Sequence, residues 1–160
     1  MTGGPFAPAL LCAALGFALA FAPRGSVLPS LLGLVAAAVA MAFVPLAPAW
    51  RETAFLVCWA TLILTAAMVH LPGGPGPKLA LALGVGAGAA GGAIVSVAGV
   101  ASDLLKALPW ALLCVPGAWL VARGQGIAIK VASSWLIAVA ILAAALPITP
   151  TPGYEPDHMQ

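Results

Sequence analysis

The sequence predicts an all-α bundle of helices that crosses a lipid bilayer several times. Six basic and four acidic residues are the only charges among 160 residues, 63% of the residues are hydrophobic, and the mean hydropathy is +1.14. A water-soluble domain carries about 25% charged residues, so a chain with so few charges must present its surface to lipid. Its apolar runs reach the roughly 20 residues that a helix needs to cross the hydrocarbon core.

Six apolar segments joined by short loops are the predicted crossings, and proline and glycine mark most of their ends. Pro23 ends the first segment, Pro29 is expected to open the second, and a Pro/Gly-rich loop at 72–78 follows the third. Alternatively, residues 102–108 lie flat on the membrane before a shorter crossing, which leaves five crossings. The predicted helices cover residues 6–22, 27–47, 53–71, 79–101, 104–122 and 127–146.

Two regions follow from this division, a transmembrane bundle at 1–146 and a Pro-rich polar tail at 147–160. The tail is too polar to cross a membrane, and its prolines favour an extended conformation. We expect it to dock on a partner through an aromatic side chain flanked by polar and acidic ones. The candidate docking residues are Tyr154, Glu155, Asp157 and His158. A metal site formed by Glu155, Asp157, His158 and Met159 is the alternative.

The basic residues predict the orientation of the bundle. With six crossings, Arg24, Lys78, Arg123 and Lys130 fall on one side of the membrane, and Arg51 and Lys106 fall on the other. Lys and Arg accumulate in the short cytoplasmic loops of membrane proteins. The first side is therefore expected to be cytoplasmic, with both termini in the periplasm of a bacterium and the bundle in its inner membrane.

Small residues recur every four positions in the fourth segment. Gly84, Gly88, Gly92 and Ser96 share one face of a helix. Because lipid supplies no hydrophobic drive between helices, such faces associate by close backbone approach. This face is expected to pack inside the bundle or against another subunit.

Polar residues within the apolar segments are few. Lys130, Ser133 and Ser134 in the last segment are the candidates for a polar path, together with Ser96, Thr61 and Thr65. Lys130 can instead extend its ammonium group to the membrane surface. His70 stands alone at the end of the third segment, and the spacing of Cys12, Cys58 and Cys114 favours buried structural thiols.

No catalytic, metal-binding or cofactor-binding motif stands out, so neither an enzyme nor a cofactor is predicted. The net charge of +2 is too small for a nucleic-acid surface. The expected partners are the lipid bilayer and other membrane subunits or copies of the chain itself. A non-catalytic accessory subunit of a membrane complex is the first hypothesis. A small homo-oligomeric transporter or channel for a small solute or ion is the alternative.

Overall fold

A computed structural model of the chain describes residues 6–98 and 100–146. Every regular element in these two ranges is helical, as the sequence predicts. Three 3₁₀ segments, Pro48–Trp50, Met68–His70 and Leu108–Leu113, adjoin α-helices. The α-helices are α1 (Phe6–Ala20), α2 (Arg24–Ala42), α3 (Arg51–Ala67), α4 (Pro77–Ala98), α5 (Ala101–Ala107), α6 (Cys114–Ala122) and α7 (Gly126–Ala145).

Five helical stretches of the described chain are long and apolar enough to cross a membrane. They are Arg24–Ala42, Pro48–His70, Pro77–Val97, Ser102–Ala122 and Gly126–Ala145. The predicted fifth crossing is thus one continuous apolar stretch, although it consists of α5, a 3₁₀ segment and α6. The 3₁₀ segment begins at Leu108 and places Pro109 in its first turn, where a missing N–H group costs little.

Helix α2 differs in its boundaries from the predicted crossing at 27–47. It begins at Arg24 and contains Pro29 inside the helix, whereas the sequence suggested that Pro29 opens it. The helix tolerates the lost hydrogen bond because most helical stability comes from tertiary packing, and α2 packs along α4. It ends at Ala42 because Pro45 disfavours helical backbone at the preceding residue.

Helix α1 is the central helix of the bundle. Eleven of its fifteen residues are buried, and it contacts α3, α4, α5, α6 and α7. At a rise of 1.5 Å per residue it is about 22 Å long, which is shorter than the roughly 30 Å hydrocarbon core. Because neighbouring helices surround most of α1, its length need not match the bilayer.

Small residues let α1 approach the stretch 108–117 closely. A Cβ atom added to Gly16 would lie 2.9 Å from the carbonyl oxygen of Ala111, and one added to Gly117 would lie 2.8 Å from the Cβ of Ala20. Both distances are too short for a real Cβ atom. Glycine at these two positions therefore sets how near the backbones of α1 and of the fifth crossing can come.

Helices α2 and α4 form the closest pair in the bundle and run parallel to each other. Added Cβ atoms at Gly84 and Gly88 would strike the carbonyl oxygens of Ser30 and Leu34, and one at Gly92 would lie 2.5 Å from that of Ala38. An added Cβ takes the direction of a glycine Cα–H bond, so three successive Cα–H groups of α4 point at carbonyl oxygens of α2. Such contacts recur at close helix interfaces and add a weak attraction to the dispersion energy.

Gly88→Leu tests this contact, and Gly86→Leu on the same helix is its matched control. An added Cβ at Gly86 meets no atom within 4 Å, whereas at Gly88 it meets the backbone of α2. We expect Gly88→Leu to lower the free energy of unfolding in mild detergent by about 1–3 kcal/mol, the usual cost of overpacking. Gly86→Leu should not lower it and can raise it by up to about 1 kcal/mol, because leucine has a higher helix propensity than glycine.

Cys12, Cys58 and Cys114 are free and buried, so a thiol-reactive dye reports unfolding in both variants. Equal losses of stability in Gly86→Leu and Gly88→Leu would contradict the close approach of α2 and α4.

Candidate functional site

An apolar groove leaves one side of the central helix α1 uncovered. It has a volume of about 640 Å³ and lies between α1, the stretch 106–113 and α7. Its lining residues are Phe6, Ala9, Leu10, Ala13, Phe17, Lys106, Trp110, Leu113, Ala132, Trp135 and Leu136. Among the described residues, α1 is therefore only partly covered between the fifth crossing and α7: Phe6 is exposed, and Ala9, Leu10 and Phe17 are half-buried.

The lining of the groove combines small residues with large aromatic ones. Ala9, Ala13 and Ala132 are the small members, and Trp110 and Trp135 expose 52% and 64% of their surface. Lys106 is the one charged residue among the described lining residues, and its Nζ lies 3.9 Å from Oδ1 of Asp103. Such a surface can hold an apolar helix face or a lipid chain.

A second cavity of about 760 Å³ opens at one end of the bundle, and two basic side chains line it, Arg24 from α2 and Lys130 from α7. The loops at 21–23 and 71–76 meet at this end. Gly74 has a φ of +73° and lies so close to the carbonyl oxygen of Phe21 that a side chain there would clash. Both constraints require glycine at position 74.

The residues of the predicted polar path divide between two faces of α7. Ser134 is exposed, its Oγ lies 3.3 Å from Nε2 of His70, and it donates a hydrogen bond of 3.0 Å to the carbonyl oxygen of Lys130. Ser133 is fully buried, and its Oγ has no hydrogen-bond partner among the described residues. The structure thus brings Ser134 together with His70, places Lys130 one turn earlier on the same helix, and separates Ser133 from this contact.

His70 is the residue that sequence reasoning left out of this cluster. It precedes Ser134 by 64 positions, and no local pattern links the two. The antiparallel packing of α3 and α7 creates the contact.

The other polar candidates donate hydrogen bonds within their own helices. Thr65 is buried and donates to the carbonyl oxygen of Thr61 at 2.7 Å, and Thr61 donates to that of Val57. Ser96 donates to the carbonyl oxygen of Ala93 at 3.0 Å. Each of these hydroxyl groups donates its hydrogen bond to a carbonyl oxygen of the preceding turn, as is common in membrane helices.

Gly84, Gly88 and Gly92 lie against α2 inside the bundle. The tail residues Tyr154, Glu155, Asp157 and His158 lie outside the described residues. Within the described ranges, no group of three or more His, Cys, Asp or Glu residues could hold a metal ion.

Comparison with known proteins finds no matching protein family, no similar curated protein and no similar solved structure. Functional inference for this chain therefore depends on its own residues and geometry.

Proposed function

We propose that this chain is a non-catalytic accessory subunit of a larger membrane complex and that it binds a transmembrane helix of a partner subunit. The observation that carries the proposal is the apolar groove, which leaves the central helix α1 uncovered in a bundle that otherwise surrounds it. A helix from another protein would complete the layer of helices around α1.

The chemistry of the groove favours a helix as its occupant. Small side chains at Ala9, Ala13 and Ala132 allow a second backbone to come close, and close approach is what drives helix association in lipid. The partly exposed rings of Trp110 and Trp135 flank them, and aromatic residues are enriched at protein interfaces. From Phe6 to Phe17 the groove follows α1 for about 16 Å, which is about three turns of a helix.

For a bundle in a bacterial inner membrane, the distribution of charge favours both termini outside the cytoplasm. Of the described residues, Arg24, Lys78, Arg123 and Lys130 belong to one end of the bundle, which we name the cationic end, and no acid accompanies them. The opposite end carries Arg51, Glu52, Asp103 and Lys106, whose formal charges cancel. Four Lys and Arg residues at the cationic end against two at the opposite end favour a cytoplasmic cationic end, since acids contribute little to this preference.

Filling the groove should release the partner. Ala132 lines the groove, whereas Ala138 is exposed on the same helix and does not line it, so Ala132→Trp and Ala138→Trp form a matched pair. We expect the wild-type chain, purified from its own membranes in mild detergent, to retain a second membrane protein in fixed stoichiometry. Ala132→Trp should reduce the recovered partner by at least about tenfold, which corresponds to about 1.4 kcal/mol of binding free energy, and Ala138→Trp should retain it.

Two outcomes of this purification argue against the proposal. Equal recovery of the partner by both variants would show that the groove is not its binding surface. A chain that purifies only with copies of itself would favour the alternative, a small homo-oligomeric transporter or channel.

The orientation is tested by single cysteines in the loops, labelled with a membrane-impermeant maleimide. Gln125 lies at the cationic end and Ala49 at the opposite end, and both are exposed. The native cysteines are buried, so labelling of the wild-type chain gives the background signal. We expect Ala49→Cys to react in intact spheroplasts and Gln125→Cys to react only after the membrane is permeabilised, whereas the reverse pattern would invert the assignment.

A further inference from the structure

The cavity at the cationic end has the composition of a site for an anion attached to an apolar chain. We propose that it binds a phosphate group, with the Arg24 guanidinium and the Lys130 ammonium as its ligands. The phosphate belongs either to a phospholipid headgroup or to a free phosphate ion. This site is separate from the apolar groove, so the proposal stands independently of the proposed function.

The charges around the cavity favour an anion. Arg24 and Lys130 both line it, and none of the described lining residues is acidic. The described acids, Glu52 and Asp103, lie at the opposite end of the bundle, where α3 and α5 begin. Neither basic side chain therefore has a carboxylate among the described residues to neutralise it, and a bound anion would supply negative charge.

The two basic groups differ in a way that suits phosphate. A guanidinium group can donate two parallel hydrogen bonds to phosphate oxygens, and an ammonium group adds a compact charge on a flexible stem. Arg24 begins α2, whereas the Cα of Lys130 lies about 6 Å along α7 from the start of that helix at Gly126. Lys130 can extend its ammonium group from this depth towards the membrane surface, where lipid phosphates lie.

The backbone at this end also favours negative charge near Arg24. Helix α2 starts there, and helix N-termini carry a partial positive charge. Helix α1 ends at the same place, but two of its last carbonyl groups already accept hydrogen bonds. The N–H groups of Phe21 and Ala22 donate to the carbonyl oxygens of Ala18 and Leu19 at 3.2 and 3.1 Å.

The rest of the lining is apolar and fits the part of a lipid next to its headgroup. Leu19, Val27, Leu71 and Val115 contribute to the cavity wall. A free phosphate ion would contact only the basic side of such a cavity, whereas a phospholipid would also cover its apolar side. Basic pockets between helices are a known form of recognition for anionic lipids.

The experiment measures binding to the full chain in neutral detergent, with thermal unfolding read by a thiol dye on the three buried cysteines. The probes are dioctanoyl phosphatidylglycerol, inorganic phosphate and dioctanoylglycerol, which lacks a phosphate. We expect phosphatidylglycerol to stabilise the wild-type chain. Arg24→Gln and Lys130→Gln should each weaken its apparent affinity about fivefold, the size expected for about 1 kcal/mol per basic residue. Lys130→Arg should retain the affinity, and Arg51→Gln, at the opposite end, should match the wild type.

The probes separate the two sources of phosphate. Stabilisation by phosphatidylglycerol alone identifies a lipid headgroup, and equal stabilisation by inorganic phosphate identifies a free anion site. The proposal is overturned if neither phosphate probe stabilises the chain or if dioctanoylglycerol acts as strongly as phosphatidylglycerol. It is also overturned if the double variant Arg24→Gln/Lys130→Gln binds as the wild type does.

Discussion

Close backbone contact between helices is the interaction on which the rest of this structure depends. Lipid tails are as apolar as leucine, so burying an apolar side chain between helices gains little, and packing must hold the bundle together. At Gly84, Gly88 and Gly92 the backbone of α4 meets carbonyl oxygens of α2, and at Gly16 and Gly117 the backbones of α1 and the fifth crossing approach. These two contacts position the surrounding crossings relative to the short central helix.

Two features of the bundle follow from its short central helix, one beside α1 and one at its C-terminal end. Where the fifth crossing and α7 do not meet, α1 is open to the membrane through the apolar groove. Where α1 ends, the loop at 21–23 turns into α2 beside Lys130 of α7, and the cationic cavity forms. Both candidate binding regions therefore arise from gaps in the shell around α1, and their opposite chemistry reflects their depth in the membrane.

Composition and proline placement predicted the helical class and the approximate position of the apolar helices. The backbone cannot be hydrated in lipid, so few alternatives to helices remain. The central position of α1 could not be predicted. Its residues are as apolar as those of a lipid-facing helix, and periodicity separates an inner from an outer face only when one of them is polar. The contact between His70 and Ser134 could not be predicted from the sequence either, because it depends on how α3 and α7 pack.

The central placement of α1 is tested most directly by the accessibility of its methyl groups to lipid. A spin label carried on an acyl chain broadens the NMR signals of methyl groups that contact lipid. The account predicts that the methyl signals of Leu11 and Leu15, which are fully buried in α1, persist, and that those of Leu28 and Leu32, which are 66% and 62% exposed on α2, disappear. Equal broadening of the signals from α1 and α2 would contradict a bundle built around α1.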